Sequence, residues 1–315
     1  MMLPAQHTVG LAGRSSSFLR SLKSLLIACL VMSINPLPAC AHQPPLVVMT
    51  DLDGTLLDHE TYSFAPAVPV IARLKSAGIP LILNTSKTAA ELKILRESIT
   101  NVDPYIVENG SALIVPAGYF SALENNTAQK MGDEVHVLGA SRLEILPIIQ
   151  KIRTEDNFLF SGFADMEVSE VIASTGLPEA AARLAMTRDF SEPLIWQDSA
   201  HQLRKFEALI ANHGLQLLQG GRFVHVIGAC DKGKCLHWLR KRFSDLCGAA
   251  PAFVALGDSQ NDVAMLNAAD IAVIVRSSHH APPDLEKRSS VLITEANGPQ
   301  GWADSLTQIL DEALI

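Results

Sequence analysis

The stretch LVVMTDLDGTLLDH, residues 46 to 59, limits what this chain can fold into more than any other. Its apolar and β-branched start reads as a strand buried on both faces, as a parallel sheet covered by helices requires. The run stops at two aspartates one residue apart, Asp51 and Asp53, with Gly54 and Thr55 directly behind them. An aspartate after a strand often serves as a turn or cap residue, so this stretch alone leaves the chemistry open.

The same rhythm continues downstream. A helix is expected in PAVPVIARLKSAG (66 to 78), with Pro66 near its start and Gly78 at its end. IPLILNT (79 to 85) reads as a strand, TAAELKILRESI (88 to 99) as a helix, YIVENG (105 to 110) as a strand and SALIVP (111 to 116) as its hairpin partner. Between about 119 and 229 longer amphipathic helices take over, as in SRLEILPIIQKIR (141 to 153) and PEAAARLAM (178 to 186), with fewer buried strands. The alternation resumes with DKGKCLHWLRKRF (231 to 243), PAFVALGD (251 to 258), DVAMLNAA (262 to 269), IAVIV (271 to 275) and a terminal helix from about 301. The expected fold class is α/β, a Rossmann-like parallel sheet core at 46–118 and 230–315 interrupted by a second domain at 119–229.

Residues 1–45 differ in kind. Arg14, Arg20 and Lys23 precede the apolar run SLLIACLVMSI (24 to 34), and Ala39 and Ala41 fit a small-residue cleavage site. That is the outline of an export signal, which would anchor the protein to a membrane if retained. The competing reading is an upstream extension, with Met32 or Met49 able to open a complete domain. Beyond residue 45 the three cysteines, Cys230, Cys235 and Cys247, fit neither a disulfide framework nor zinc spacing and read as ordinary thiols. A net charge of −8 gives no general attraction to phosphate backbones, so nucleic acid is not an expected partner. An anionic substrate must then be met by local cations or a metal. Oligomeric state is not legible in the sequence.

Ligands of open α/β sheets bind at the carboxyl ends of the strands, and the chain puts polar residues there. Asp51 closes the first strand, Thr85 and Ser86 the second, and Asp258 the strand PAFVALG. Other features read as structural. His279 and His280 precede a Pro-rich turn and are expected in a solvated loop, Trp238 and Phe243 in the core, and NNT at 125 to 127 matches a glycosylation acceptor only in a secretory setting.

Taken in order, DLDGT, the Thr of LNTSKT, the Lys-Gly of DKGK and GDSQND resemble the four motifs of the haloacid-dehalogenase-like (HAD) phosphohydrolases. The insertion resembles the α+β C2-type cap of that superfamily. NTSKTAAEL, YIVENG, SGFADM, RDFSEP and GGRFVHVIG resemble mannosyl-3-phosphoglycerate phosphatases, and these stretches span nearly everything after residue 45. The resemblance implies a Mg²⁺-dependent phosphatase that releases mannosylglycerate, a compatible solute, from a phosphorylated sugar-glycerate. It also implies a cytoplasmic enzyme, against the export outline of the N-terminus.

Within that resemblance Asp51 is the nucleophile, Asp53 the acid and base, and Gly54 the turn that lets both face the phosphate. Thr85 and Lys232 hold phosphoryl oxygens. Repulsion between a phosphate dianion and the aspartates, about 4 kcal/mol per pair at 4 Å and an effective dielectric of 20, calls for a divalent cation. Mg²⁺ would be held by Asp51, the Asp53 carbonyl, Asp258 and Asp262. Asn261 is expected to orient Asp258 or Lys232. Arg188 and Arg222 are expected to bind the substrate carboxylate, with Lys87 a third cation. Asp165, Ser191 and Glu192 would accept sugar hydroxyls, and Glu108 and Asn109 would line the mouth. The alternatives are the same chemistry on glucosyl-3-phosphoglycerate or another sugar phosphate, a phosphomutase, and, more remotely, a phospho-receiver module.

Overall fold

The computed structural model describes residues 44, 46–120, 132–219, 222–285, 288 and 290–313. The export outline and the acceptor at 125 to 127 lie outside them. Five strands come first: β1 (Leu46–Thr50), β2 (Leu81–Asn84), β3 (Tyr105–Val107), β4 (Ala112–Val115) and β5 (Glu134–Val137). Four follow, β6 (Phe160–Gly162), β7 (Ser191–Trp196), β8 (Leu215–Gln219) and β9 (Val224–Gly228), and then β10 (Ala252–Gly257), β11 (Ile271–Arg276) and β12 (Leu292–Asn297). The first five and the last three make an eight-stranded sheet of order β12-β11-β10-β1-β2-β3-β4-β5. It is parallel from β12 to β3 and antiparallel from β3 to β5.

Nine helices are described: α1 (Val68–Ser76), α2 (Ala89–Ser98), α3 (Arg142–Asp156), α4 (Val168–Thr175), α5 (Glu179–Met186), α6 (Ala200–Ala211), α7 (Lys232–Cys247), α8 (Val263–Ala268) and α9 (Gly298–Ala313). The period-two alternation of β1 divides its side chains between two cores. Leu46 and Val48 join Leu74 of α1 and Trp302 and Leu306 of α9 on one face, while Val47 and Met49 join Leu236, Leu239 and Phe243 of α7 on the other. Helices cover the sheet on both sides, which is why its central strands carry no polar face.

Two strands depart from the sequence-based expectation. β12 was not expected, because a sheet-edge strand packed on one face alternates buried and exposed residues and lacks an apolar run. β5 lies within the expected 119–229 insertion yet pairs antiparallel with β4 at the edge of the large sheet.

The smaller sheet is antiparallel, of order β6-β7-β9-β8. Helices α3 and α6 cover one of its faces, where Ile145, Ile149, Phe206 and Ile210 pack on Phe160, Leu194 and Val226. Its other face mixes apolar residues such as Pro193, Leu218 and Ile227 with Ser191, Gln216 and His225, so its strands lack the unbroken apolar runs of the central large-sheet strands and the sequence shows the helices more clearly.

The order in which the chain adds strands to the large sheet reverses between β1 and β10. From β1 the chain steps through β2 to β3 on one side, and from β10 through β11 to β12 on the other. A crevice opens outside the carboxyl ends at such a reversal.

Candidate active site

Asp51 and Asp258 follow the two strands that flank this crevice. The Asp51 N–H donates to Leu256 O at 2.9 Å, which fixes the end of β1 against β10. Asp262 closes the short 3-10 turn Gln260–Asp262, and its Oδ2 accepts from the backbone N–H groups of Asp258 and Ser259, each at 3.1 Å. Asp51, Asp258 and Asp262 are all buried and offer ligand oxygens within 4.8 Å of one another. Gly54 has a φ of +80°, and a Cβ there would lie 2.5 Å from Asp258 Oδ2, so the turn behind Asp53 requires glycine.

Lys232 begins α7, whose N-cap Asp231 accepts from Lys234 N–H at 2.8 Å. Its buried ammonium donates to Asp51 Oδ1 at 2.5 Å and to Asp262 Oδ1 at 2.7 Å. Burial alone would lower the Lys232 ammonium, but the charges of Asp262 and Asp51 outweigh it and hold the group above its usual value. Burial raises the Asp51 carboxyl well above the usual carboxylate range; Lys232 pulls it back, while Asp262 and Asp258 add to the rise. Asp258 is pushed up to about 6 by burial and by the charge of Asp262. One ammonium thus faces three crowded carboxylates. A buried, all-oxygen set with excess negative charge suits a hard divalent cation.

Asp53 stands at the rim, with Lys87 Nζ 2.9 Å from its Oδ1. Burial would lower the Lys87 ammonium, yet the Asp53 charge raises it. Thr85 is fully buried; its hydroxyl accepts from Lys87 N–H at 3.2 Å and its carbonyl from Asn109 N–H at 2.8 Å. Asn261 does not touch Asp258 or Lys232. Its amide donates to Asn109 Oδ1 at 3.2 Å and accepts from Ser259 Oγ at 2.6 Å, and the orienting part expected of it falls to Asp262.

A cavity of about 550 Å³ opens above these groups, with Asp51, Asp53, Asn109 and Asp258 on one wall and Leu218 and His225 of the smaller sheet on another. His280 also lines it, 3.1 Å from Asp258 Oδ2 through Nε2, and His279 stacks near His59 with ring centroids 4.1 Å apart. Both histidines sit in the exposed loop expected of them, and that loop brings His280 to the cavity. A loop with no periodicity gave no signal of that. A second cavity, about 530 Å³, includes Ile79, Leu81 and Asp103 and lies at the amino ends of β2 and β3, on the opposite edge of the sheet.

Most of the residues expected to read the substrate are engaged elsewhere. Glu108 does not line the mouth: it is buried, and its carboxylate accepts from Asp189 N–H at 2.9 Å, Phe190 N–H at 3.2 Å and Ser191 Oγ at 2.5 Å. Arg188 donates to Ser191 Oγ at 2.9 Å and to Ser86 O at 2.6 Å, with Nε 3.4 Å from Glu108. Glu108, Arg188 and Ser191 thus form a buried seam between the two sheets. Glu192 is fully buried against Arg142 at 2.6 Å and Ala164 N–H at 2.7 Å. Asp165 accepts from Arg153 at 2.8 Å and Gly162 N–H at 3.1 Å. Arg222 is exposed and donates to the carbonyls of Ser174 and Thr175, at the last turn of α4. Each of these side chains has a protein partner within hydrogen-bonding distance.

The chain is similar to known proteins. Family models described as haloacid dehalogenase-like hydrolase and sucrose-6F-phosphate phosphohydrolase match residues 48–131 and 195–307. A Persephonella marina protein named glucosyl-3-phosphoglycerate/mannosyl-3-phosphoglycerate phosphatase is 38% identical over 274 residues, covering 85% of this chain and 98% of that one. A Methanococcoides burtonii protein of the same name is 35% identical, covering 84% of this chain and 97% of its own. Among solved structures, a phosphatase of the haloalkanoate dehalogenase superfamily from Bacteroides thetaiotaomicron superposes with a TM-score of 0.58 at 17% identity, covering 87% of this chain and 98% of that one. The last likeness extends the fold, a Rossmann-like core with a cap, to a distant relative.

Proposed function

The chain is a phosphatase of the haloacid dehalogenase-like superfamily, in the glucosyl-3-phosphoglycerate/mannosyl-3-phosphoglycerate phosphatase family, and from that membership we propose that it hydrolyses mannosyl-3-phosphoglycerate to mannosylglycerate and phosphate. The glucosyl analogue is the second substrate, since both relatives are named for both sugars. The observation that carries the reading is the convergence of Asp51, Asp258 and Asp262 around one Lys232 at the floor of a cavity roofed by the cap.

In this reading an Asp51 oxygen attacks phosphorus, forming the Asp51–phosphate bond as the bond to the glycerate oxygen breaks. Asp53 gives that oxygen its proton. Water then attacks the phospho-aspartate, Asp53 takes the water's proton, and Asp51 leaves as a carboxylate. Lys232 keeps Asp51 from rotating away and offsets part of the charge, while Lys87 holds Asp53 at the rim. Thr85 offers its hydroxyl to the phosphoryl group. Mg²⁺, held by Asp51, Asp258, Asp262 and the Asp53 carbonyl, would supply the positive charge that lets a phosphate dianion approach three carboxylates.

Among the described residues no helix is long and apolar enough to cross a membrane. The proposed compartment is the cytoplasm, where phosphoglycerate conjugates are made, and N-terminal sequencing of the native protein tests it. The function is tested by phosphate release from mannosyl- and glucosyl-3-phosphoglycerate with Mg²⁺ and with a chelator. Stoichiometric phosphate in Mg²⁺ alone supports the reading; isomerised substrate without phosphate release points to a mutase and overturns it.

A further inference from the structure

The cap sheet turns one face to its helices and the other to the core. In antiparallel pairing, directly opposed residues share a face. His225 of β9 is opposed by Pro193 of β7 and by Leu218 of β8, so these three form one row. The next residue, Val226, packs into the cluster under α3 and α6, which puts His225 on the other side. Two residues on, Ile227 is opposed by Ser191, whose hydroxyl donates to Glu108 of the core. The row therefore faces the core, and the cavity confirms it, since His225 and Leu218 stand across from Asp51 and Asp53.

Within this row His225 is the only hydrogen-bonding side chain, set between a proline and a leucine. Its Nδ1 is buried and finds no hydrogen-bond partner among the described residues. A buried polar atom left in this way costs about 1 to 3 kcal/mol unless a ligand satisfies it. We propose that His225 is a specificity-determining residue that hydrogen-bonds a hydroxyl of the substrate's hexose unit.

Chemistry selects the hexose over the other two parts of the substrate. The phosphoryl group is held at the floor by Asp51, Lys232 and their neighbours, and the roof meets the far end of the molecule. The glycerate carboxylate calls for a cation. Burial, with the Arg188 charge adding to it, pushes the His225 imidazole down to about 3, so it is neutral, with one nitrogen donating and the other accepting. That matches a hydroxyl, which both gives and takes a hydrogen bond. Leu218, which lines the cavity beside His225, supplies apolar surface for the sugar's C–H face.

This inference rests on the glycosyl-phosphoglycerate reading, and the experiment separates the two. Kinetics of wild type, His225→Leu and His225→Gln are measured on mannosyl-3-phosphoglycerate and on p-nitrophenyl phosphate. Wild type should strongly prefer the glycosylated substrate; no preference overturns the functional reading and the role of His225 together. In His225→Leu the ratio of kcat/KM between the two substrates should fall about ten- to a hundredfold, mostly through KM. His225→Gln, which keeps a donor and an acceptor, should recover part of the ratio. An equal loss on both substrates in the Leu variant, or no difference between Leu and Gln, removes His225 from specificity and leaves the phosphatase standing.

Discussion

Two regions of this molecule bury charge, and they do it in opposite ways. At the carboxyl edge of the large sheet Asp51, Asp258 and Asp262 crowd around a single ammonium, that of Lys232, beneath an open cavity. At the seam, the Glu108 carboxylate has the Arg188 guanidinium beside it, a serine hydroxyl and two backbone N–H groups, and neither Glu108 nor Arg188 lines that cavity. The first cluster is short of positive charge and the second is closed. Burial and charge alone do not mark a functional site; an unbalanced cluster facing a cavity does.

The largest expected effect breaks the open cluster. Asp51→Asn should lower phosphate release at least about a thousandfold, because an amide cannot form the phospho-enzyme. Its melting temperature should stay near that of wild type, since the carboxylate was held against repulsion and burial. Residual turnover above a few per cent would dismiss Asp51 as the nucleophile. A large loss of stability would mean the open cluster is as structural as the seam.

Arg188→Met tests the closed cluster. It leaves the Glu108 charge buried without its cation, which costs about 3 kcal/mol, or roughly 6 to 12 °C in melting temperature for a domain of this size. Kinetic losses should be shared by mannosyl-3-phosphoglycerate and p-nitrophenyl phosphate, because the seam positions the whole cap. A KM effect confined to the glycosylated substrate, with stability intact, would restore Arg188 to the substrate carboxylate.

The same contrast explains what the sequence could show. The core cluster is written locally: Asp51, Asp53 and Gly54 sit within four residues, Asp258 and Asp262 within five, each at a strand end whose apolar run is plain. The strand order then only has to bring the two ends together. Glu108 and Arg188 are 80 residues apart, one in the turn after β3 and the other in the loop before β7, and nothing near either names the other as its partner. A guanidinium and a carboxylate read equally well as ligand contacts or as a seam, and only the tertiary structure chooses. Glu108 and Asn109 give a partial clue in retrospect. Both take positive φ, 50° and 61°, a left-handed turn that a Glu-Asn-Gly run tolerates, and this turn aims the Glu108 carboxylate at the cap. His280 and His225 were missed for separate reasons, one in a loop without periodicity and one a lone histidine in the apolar strand β9 with no ligand spacing around it.

A smaller effect separates His225 from the seam. In the unfolded chain its imidazole titrates near 6.5, whereas in the fold burial holds it at about 3. Between these values the unfolded state binds the proton and the folded state does not. The contribution of His225 to stability is thus intact above pH 6.5 and declines by about 1.4 kcal/mol per unit as pH falls toward 3. The difference in unfolding free energy between wild type and His225→Gln should change with pH in this window and be flat above it. A constant difference would mean that the imidazole is as well solvated in the fold as in the unfolded chain.

The smallest effect is expected at Arg222, which was read from the sequence as the partner of Arg188 on the substrate carboxylate. Its guanidinium is exposed and donates to the Ser174 and Thr175 carbonyls, two of the acceptors that the end of α4 leaves without helical partners. Such a surface contact is worth little, because water replaces it when the side chain is removed. Arg222→Ala should therefore change stability by no more than about 0.5 kcal/mol and leave KM for mannosyl-3-phosphoglycerate within about twofold of wild type. A tenfold rise in KM would return Arg222 to the substrate carboxylate. The cap would then hold one arginine in the seam and send the other to the ligand, and the division between open and closed clusters would depend on substrate.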